Sequence, residues 1–467
     1  MTASNSDSHH VNPETERALR DFVRTAISRL AGEWAAHDKF ESQPRRRWER
    51  GADGAFRERV TRSWIVPQLF RDEWLHSLPR YEACVERLKF DAIVGPHINR
   101  LVGTATTATR IEVDQVLRSA IYAMQDDEGG FTYSDERFDR KCQDLTAFFA
   151  AKEFAVKLVA PLPYLALPKL PLRLNDELEL DHLTDDEVTR CCSVGILRPP
   201  SMPDLLVLDP EIAVGLRRTR ITPKIIGPDY RGSLSLDAPD TGVFGHRSLR
   251  DDLVIDDVLL ALRLHKHNRL RFAGCASWID STWLSGASFY VLGQWPYLGG
   301  HKLSDAEVPQ LLELWQLLES GSARFAFALH RFNLACDRNL LDDRIVDLVI
   351  AAEALFLSDT DSENRGELSY RLALRAAKFI EHSRYAGMDL YKLMRRAYRV
   401  RSAIVHGSHH RKVGLPDDPA ANLSKFADEI EELLRLALRK VLALKEDAKK
   451  LRNGKYWDEL VFSEPKQ

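Results

Sequence analysis

From Ser304 onward, apolar residues recur at helical spacing in one segment after another, and that recurrence leaves few folds open. Leu311, Leu312, Trp315 and Leu318 line the first segment, and a second runs from about Ala323 to Cys336. A third, about Asp342 to Leu357, carries Ile345, Leu348, Val349, Ala352, Leu355 and Phe356 on one side. A fourth covers about Glu367 to Glu381. A fifth, about Asp389 to Val405, carries Leu390, Leu393, Met394, Ala397, Val400 and Ile404. The last opens at Asp418-Pro419, an N-cap followed by proline at the first helical position. Its stripe is Leu423, Phe426, Ile430, Leu433, Ala437, Val441 and Leu444, and Asn453-Gly454 is its expected stop. Each stripe must be buried against a neighbour. Short connections favour antiparallel packing, so residues 304–455 are expected to form an all-α bundle, with 456–467 a tail.

The remainder is expected to differ in texture, giving a multidomain α plus α/β chain. Residues 1–13 are polar and rich in Ser, Asn and His, and read as a disordered tail. Residues 14–152 read as a helical N-terminal region, on the stripes Leu19, Phe22, Ile27, Leu30 and Val113, Val116, Leu117, Ile121. Within it, the basic cluster Gln43-Pro44-Arg45-Arg46-Arg47-Trp48 reads as a solvated loop rather than an RNA contact. Gly129-Gly130 marks a connector between Asp126 and Ser134. Residues 153–303 read as mixed α/β. Strands are expected over Ala155–Ala160, Leu172–Leu180, Leu205–Leu208, Ile221–Ile226 and Ser288–Leu292, and helices over about Thr184–Cys192 and Leu253–His267. This region has no Gly-rich phosphate loop.

A formal net charge of -3 removes any chain-wide attraction for polyanions, so nucleic-acid binding has to come from a local patch. Six cysteines without a Cys-x-x-Cys spacing point to a reduced, cytoplasmic protein rather than a zinc or redox site. No apolar run spans a bilayer and no apolar signal core opens the chain. Neither a membrane, a metal nor a cofactor is expected.

One patch meets the requirement. From Tyr391 to Gly414 there is no acid, while Lys392, Arg395, Arg396, Arg399, Arg411 and Lys412 supply a cationic field able to attract an RNA backbone. The same stretch holds Arg401-Ser402-Ala403-Ile404-Val405-His406-Gly407, an Arg and a His with four residues between them. That spacing is common: Arg71–His76, Arg324–His330, Arg375–His382 and Arg399–His406 also satisfy a loose Arg-x4–6-His pattern. Helix geometry discriminates among them. Arg401 follows Val400 at the edge of the apolar stripe, whereas Arg399 lies about 200° away on the solvent side. An Arg at a packed edge needs an anion, from a carboxylate or from a bound phosphate. His406, just before Gly407, faces the negative end of the helix dipole, which favours an imidazolium able to act as a general acid. The same residues admit a plainer reading, a capping His and an Arg paired within the bundle. Glu353 interrupts Ala351-Ala352-Glu353-Ala354-Leu355-Phe356 and so requires a cationic partner. Glu367, Arg371 and Arg375 repeat every four residues and share a helix face, which favours an ion-pair network between helices. His265 and His267 fall on different faces, which argues against a shared metal. His409-His410 reads as a solvated loop.

Arg331-Phe332-Asn333 followed by Asp343 to Phe356 (DRIVDLVIAAEALF) resembles the opening of the Apea-like branch of the HEPN superfamily. Leu368 to Ala377 (LSYRLALRAA) and Tyr398 to Gly407 (YRVRSAIVHG) are similar to its next two blocks, in the same order, across roughly residues 320 to 445. The resemblance implies an all-α HEPN-like bundle pairing as a two-fold homodimer, with Arg and His from both copies in one cleft. It implies a metal-independent endoribonuclease in which the ribose 2′-hydroxyl attacks its own phosphate. Arg401 would then steady the phosphate charge, His406 would move the proton, and Ser402 would stand where active members often carry Asn, Asp or His. Many such relatives are prokaryotic toxins or antiviral defence effectors, some acting through abortive infection. The alternative is a non-catalytic RNA- or protein-binding dimerisation module.

Overall fold

The computed structural model describes residues 10–36, 42–64, 71–104, 108–125, 130–197, 207–208, 213–229, 254–281, 283, 287–291, 300–321, 325–359, 367–380, 386–407 and 419–462. Helix and strand are mixed, helices occur throughout, and the C-terminal part is a run of helices. The chain divides into two compact units. One joins Met1–Leu162, Pro171–Asp252 and Phe272–Trp295; the other joins Pro163–Leu170, Leu253–Arg271 and Pro296–Gln467.

In the first unit the order is α1 (Pro13–Ala36), β1 (Ser42–Arg50), β2 (Phe56–Trp64), α2 (Asp72–His76), α3 (Tyr81–Phe90), β3 (Arg100–Gly103), β4 (Ala108–Arg110), α4 (Val113–Tyr122), α5 (Asp135–Ala150) and β5 (Glu153–Pro161). After β6 (Leu165–Ala166), which belongs to the other unit, come β7 (Leu172–Arg173), β8 (Leu178–His182), α6 (Asp185–Ser193), β9 (Val207–Leu208), β10 (Val214–Pro223) and β11 (Ile225–Asp229). The helix α7 (Val254–His265) again belongs to the second unit, and β12 (Gly274–Ile279) and β13 (Ala287–Val291) close the first. A sheet of order β13-β12-β5-β10-β8-β7 is antiparallel between each pair of neighbouring strands. Leu19, Phe22, Leu117, Ile121, Phe138, Phe148 and Phe154 share one buried cluster, the one the helical stripes anticipate.

The N-terminal region is therefore not wholly helical. The basic cluster Gln43–Trp48 lies in β1, paired antiparallel with β2, and is not a loop. Trp48 is buried and its backbone N–H donates to Thr189 Oγ1 at 2.9 Å. Arg46 meets Glu58 at 2.9 Å and Glu49 meets Arg59 at 3.1 Å across the hairpin. Opposite charges on the facing strand make this arginine-rich stretch tolerable as a strand.

The second unit carries β14 (His301–Lys302), parallel to β6, then α8 (Val308–Gly321), α9 (Ala326–Asp337), α10 (Leu341–Phe356), α11 (Leu368–Ile380), α12 (Gly387–Val405) and α13 (Pro419–Ala443). A 3-10 turn over Lys445–Arg452 and α14 (Gly454–Phe462) follow. The stripes do close on one another: Trp315, Phe332, Leu348, Leu355, Phe379, Met394, Val400, Ile430 and Ala437 are all buried. Two expectations need correcting. The final helix stops at Ala443 rather than at Asn453-Gly454, and the stretch read as a tail begins inside α14. Trp457 makes α14 necessary: it is fully buried, packs edge-on against Phe356 and Phe379, and its indole N–H donates to Leu451 O at 2.8 Å. The helix α7, expected in the mixed middle region, packs instead on α8, α9 and α13. Its Arg263 is fully buried and donates to Asn333 O at 3.0 Å and Leu270 O at 2.8 Å, besides pairing with Asp337.

Candidate functional site

The helix α12 buries Leu390, Met394, Ala397 and Val400 at its inner face, against α10, α11 and α13. Position then follows from helical geometry. Arg401, one residue past Val400, lies at the packed edge with its side chain 28% exposed, while Arg399 faces solvent. His406 is the exposed C-cap residue, its backbone N–H on Ser402 O at 3.1 Å. Gly407 follows with φ +66° and its N–H on Ile404 O at 3.0 Å. A Cβ at Gly407 would meet nothing, so only the left-handed backbone calls for glycine there.

Glu353 of α10 is the anion facing Arg401. Its carboxylate lies 3.7 Å from the guanidinium, too far for a hydrogen bond, and is itself 24% exposed. Burial pushes the Glu353 carboxyl above its ordinary range, against the pull of the Arg401 charge. Arg401 Nε is shielded from solvent and has no acceptor among the described residues. A loose, partly exposed pair of this kind is worth only about 0–1 kcal/mol. The guanidinium therefore keeps donors that its protein partner does not use.

Arg375 and Arg371, grouped with Glu353 in the sequence, are placed elsewhere. Arg375 is buried and grips Asp359 through both carboxylate oxygens, at 2.5 and 2.9 Å, while donating to Phe356 O at 2.8 Å and lying over the Trp457 ring. Arg371 stands 3.6 Å from the same Asp359. Burial would raise the Asp359 carboxyl, but the Arg375 hydrogen bonds and charge hold it below its ordinary value. Glu367 lies just before α11 with φ 58°, capping Tyr370 and Arg371 through its backbone oxygen. This group ties α10, α11 and α14 together and does not join Arg401.

The cationic patch is also divided. Arg395 and Arg399 are exposed, Arg395 donating to the Tyr391 hydroxyl at 3.3 Å. Arg396 folds inward, its guanidinium 4.8 Å from the Phe426 ring centre, with Nε and Nη2 shielded and without acceptors among the described residues. It is thus less available to a backbone phosphate than its spacing suggested. Ser402 is half-buried beside Arg401. Arg411, Lys412 and His409-His410 lie outside the described residues.

Sequence reasoning missed the strongest charge cluster of the unit. Glu431 is fully buried, with Arg344 at 2.5 Å, Arg435 at 2.6 Å, Arg269 at 3.4 Å and His267 Nδ1 at 2.8 Å. The signal was available: Glu431 interrupts an apolar face as Glu353 does, between Ala427, Ile430 and Leu434. His267, Asp428 and Glu431 present oxygen and nitrogen atoms within 4.8 Å of one another, a spacing open to a metal. The surrounding arginines already neutralise that carboxylate and oppose a further cation. Beside Glu353, a groove of about 360 Å³ opens among Phe327, Ala328, Ile350, Ala354 and Arg452. Among the described residues no helix is long and apolar enough to cross a membrane. Comparison of the chain with protein-family models, curated proteins and solved structures finds no match.

Proposed function

We propose that the C-terminal helices form a HEPN-like bundle whose Arg401 and His406 cleave RNA without a metal. The observation that carries this reading is the under-used guanidinium of Arg401, held at a packed edge by a partner 3.7 Å away and on the same helix end as the exposed His406. A phosphate is the anion that fills such a fork bidentately. In the reaction, the ribose 2′-oxygen forms a bond to phosphorus as its proton passes to a base, and the bond to the 5′-oxygen breaks. His406 delivers a proton to that leaving oxygen, leaving a 2′,3′-cyclic phosphate and a 5′-hydroxyl. Arg401 carries the charge that builds on the phosphate. Exposed Arg395 and Arg399 draw in the backbone. A homodimer bringing two such helix ends together would supply the second acid–base group. Resemblance to HEPN toxins and defence effectors supports a role in halting growth by cutting RNA.

The test is RNA cleavage by the purified chain in EDTA, with end-group analysis of the products. Arg401→Ala and His406→Ala are each expected to abolish cleavage while leaving thermal unfolding nearly unchanged. Equal cleavage by both variants and the wild type would overturn the assignment. The Arg401–Glu353 pairing favours one other reading, a non-cutting module that binds RNA or a protein through the bundle. RNA that is bound with steep salt dependence but stays intact, indifferent to His406→Ala, would select it.

A further inference from the structure

Beside the proposed phosphate site, the groove lined by Phe327, Ala328, Ile350, Glu353, Ala354 and Arg452 has a volume of about 360 Å³. Small-ligand pockets occupy roughly 300–1,000 Å³, so one flat ring system is a fitting occupant. Three features define its chemistry. Phe327 is 56% exposed although aromatic, and the Arg331 guanidinium, itself held by Asp347 at 2.8 Å, backs its ring at 5.3 Å from the centroid. An aromatic shelf of this kind is what an unstacked base needs. Ile350 and Ala354 are half-buried and apolar, suited to a base face rather than a sugar. Glu353 then contributes a carboxylate with no hydrogen bond among the described residues, its one ionic partner being Arg401 at 3.7 Å. A partly desolvated carboxylate left without donors is unfavourable, and donors entering the groove would satisfy it.

A carboxylate only accepts. Guanine is the base whose Watson–Crick edge offers two adjacent donors, N1–H and the N2 amino group. Adenine and cytosine set one donor beside an acceptor lone pair, and uracil flanks its single N–H with two carbonyls. Each of these turns a lone pair toward Glu353. We propose that this groove is a guanine-binding subsite, with Glu353 accepting from N1–H and N2–H and Phe327 stacking on the ring. Because Glu353 also faces Arg401, the base site and the phosphate site adjoin. This deepens the ribonuclease reading and rests on it for the substrate: cleavage is expected next to guanosine.

The test is calorimetric titration of the full chain with GMP, AMP, CMP and UMP, alongside mapping of cuts in an RNA of mixed sequence. GMP is expected to bind roughly tenfold or more tighter than the other three, and Phe327→Ala, at an exposed position, to weaken GMP by roughly tenfold. Glu353→Gln, which presents one donor and one acceptor, is expected to erase the preference for guanine. GMP binding no tighter than UMP, or undetectable at millimolar concentration, overturns the subsite. Selective GMP binding with RNA left intact sinks the nuclease reading and leaves the subsite standing. RNA cut without base preference, by a chain that does not select GMP, does the reverse.

Discussion

Arg375 and Arg401 are the same side chain put to opposite uses, and the difference is measurable. Arg375 is buried and bonded to Phe356 O and to both oxygens of Asp359, so Arg375→Ala leaves that buried carboxylate with no hydrogen bond from Arg375 and only Arg371, 3.6 Å away, as a charge partner. That substitution is expected to cost about 3–5 kcal/mol in urea denaturation, whereas Arg401→Ala costs about 1 kcal/mol or less. Loss of stability on Arg401→Ala as large as on Arg375→Ala would mean that Arg401 is a structural ion-pair member after all. Glu431 allows a second test at this scale. Burial alone would push its carboxyl up, but the His267 hydrogen bond and the charges of Arg344, Arg269 and Arg435 hold it far below the ordinary value. A carboxyl depressed on folding stabilises the fold fully above its unfolded pKa and loses that contribution as pH falls toward the folded one. Stability of the wild type should therefore drop below about pH 4.5, and Glu431→Gln should flatten that part of the profile. Urea midpoints across pH 3–6 for both proteins measure this; parallel profiles would contradict it. The sequence revealed that Glu353 needs a cation because the apolar run around it is local. It could not reveal that Arg375 would find Asp359, since that pairing depends on how the chain leaves α10.

At the scale of the element, helix bodies were legible and their ends and partners less so. Periodicity is a property of a few turns, so the stripes of α8, α10, α12 and α13 could be read directly. Where α13 stops depends on Trp457 returning to the space between Phe356 and Phe379, which no window on α13 contains. The β1–β2 hairpin was hidden for the same reason: Arg46 and Arg59 become favourable only when Glu58 and Glu49 face them. The end of α12 was legible, because Gly407 stops it by a backbone requirement, as was the start of α13 at Pro419. The Gly407 φ of +66° with open space at the Cβ position separates conformation from packing. Gly407→Ala should thus cost about 1–2 kcal/mol from the left-handed backbone alone. Gly407→Asn should cost less, since Asn tolerates that region. Thermal melts rank the two variants; equal stability of all three proteins would show that the helix end is free to rearrange. If His406 must be held by this cap to act, RNA cleavage should fall further in Gly407→Ala than in Gly407→Asn.

At the scale of the whole molecule, the second unit is discontinuous in sequence, which a reading by contiguous segments cannot detect. A boundary at 304 follows the change from mixed texture to helical stripes, yet Leu253–Arg271 belongs with the helices beyond it. The attachment is chemical as well as geometric. Arg263 is buried against Asn333 and Asp337, Arg435 Nε donates to Arg263 O at 2.6 Å, and Arg269 and His267 both reach Glu431. Removing Leu253–Arg271 strips the facing surfaces of α8, α9 and α13 and takes Arg263 and Arg271 from Asp337, and His267 and Arg269 from Glu431. Glu431 is the buried one of the two and keeps Arg344 and Arg435, so the larger loss is the apolar surface of α8, α9 and α13 uncovered, against a total stability of about 5–15 kcal/mol for a domain. A fragment of residues 304–467 is therefore expected to lack a cooperative urea transition and to bind hydrophobic dye. A fragment of residues 253–467, which restores α7 and carries the intervening strands as a loop, should unfold cooperatively. Matching midpoints for the two fragments would show that the bundle is complete without α7, and that the buried arginine contributes nothing the remaining helices cannot replace.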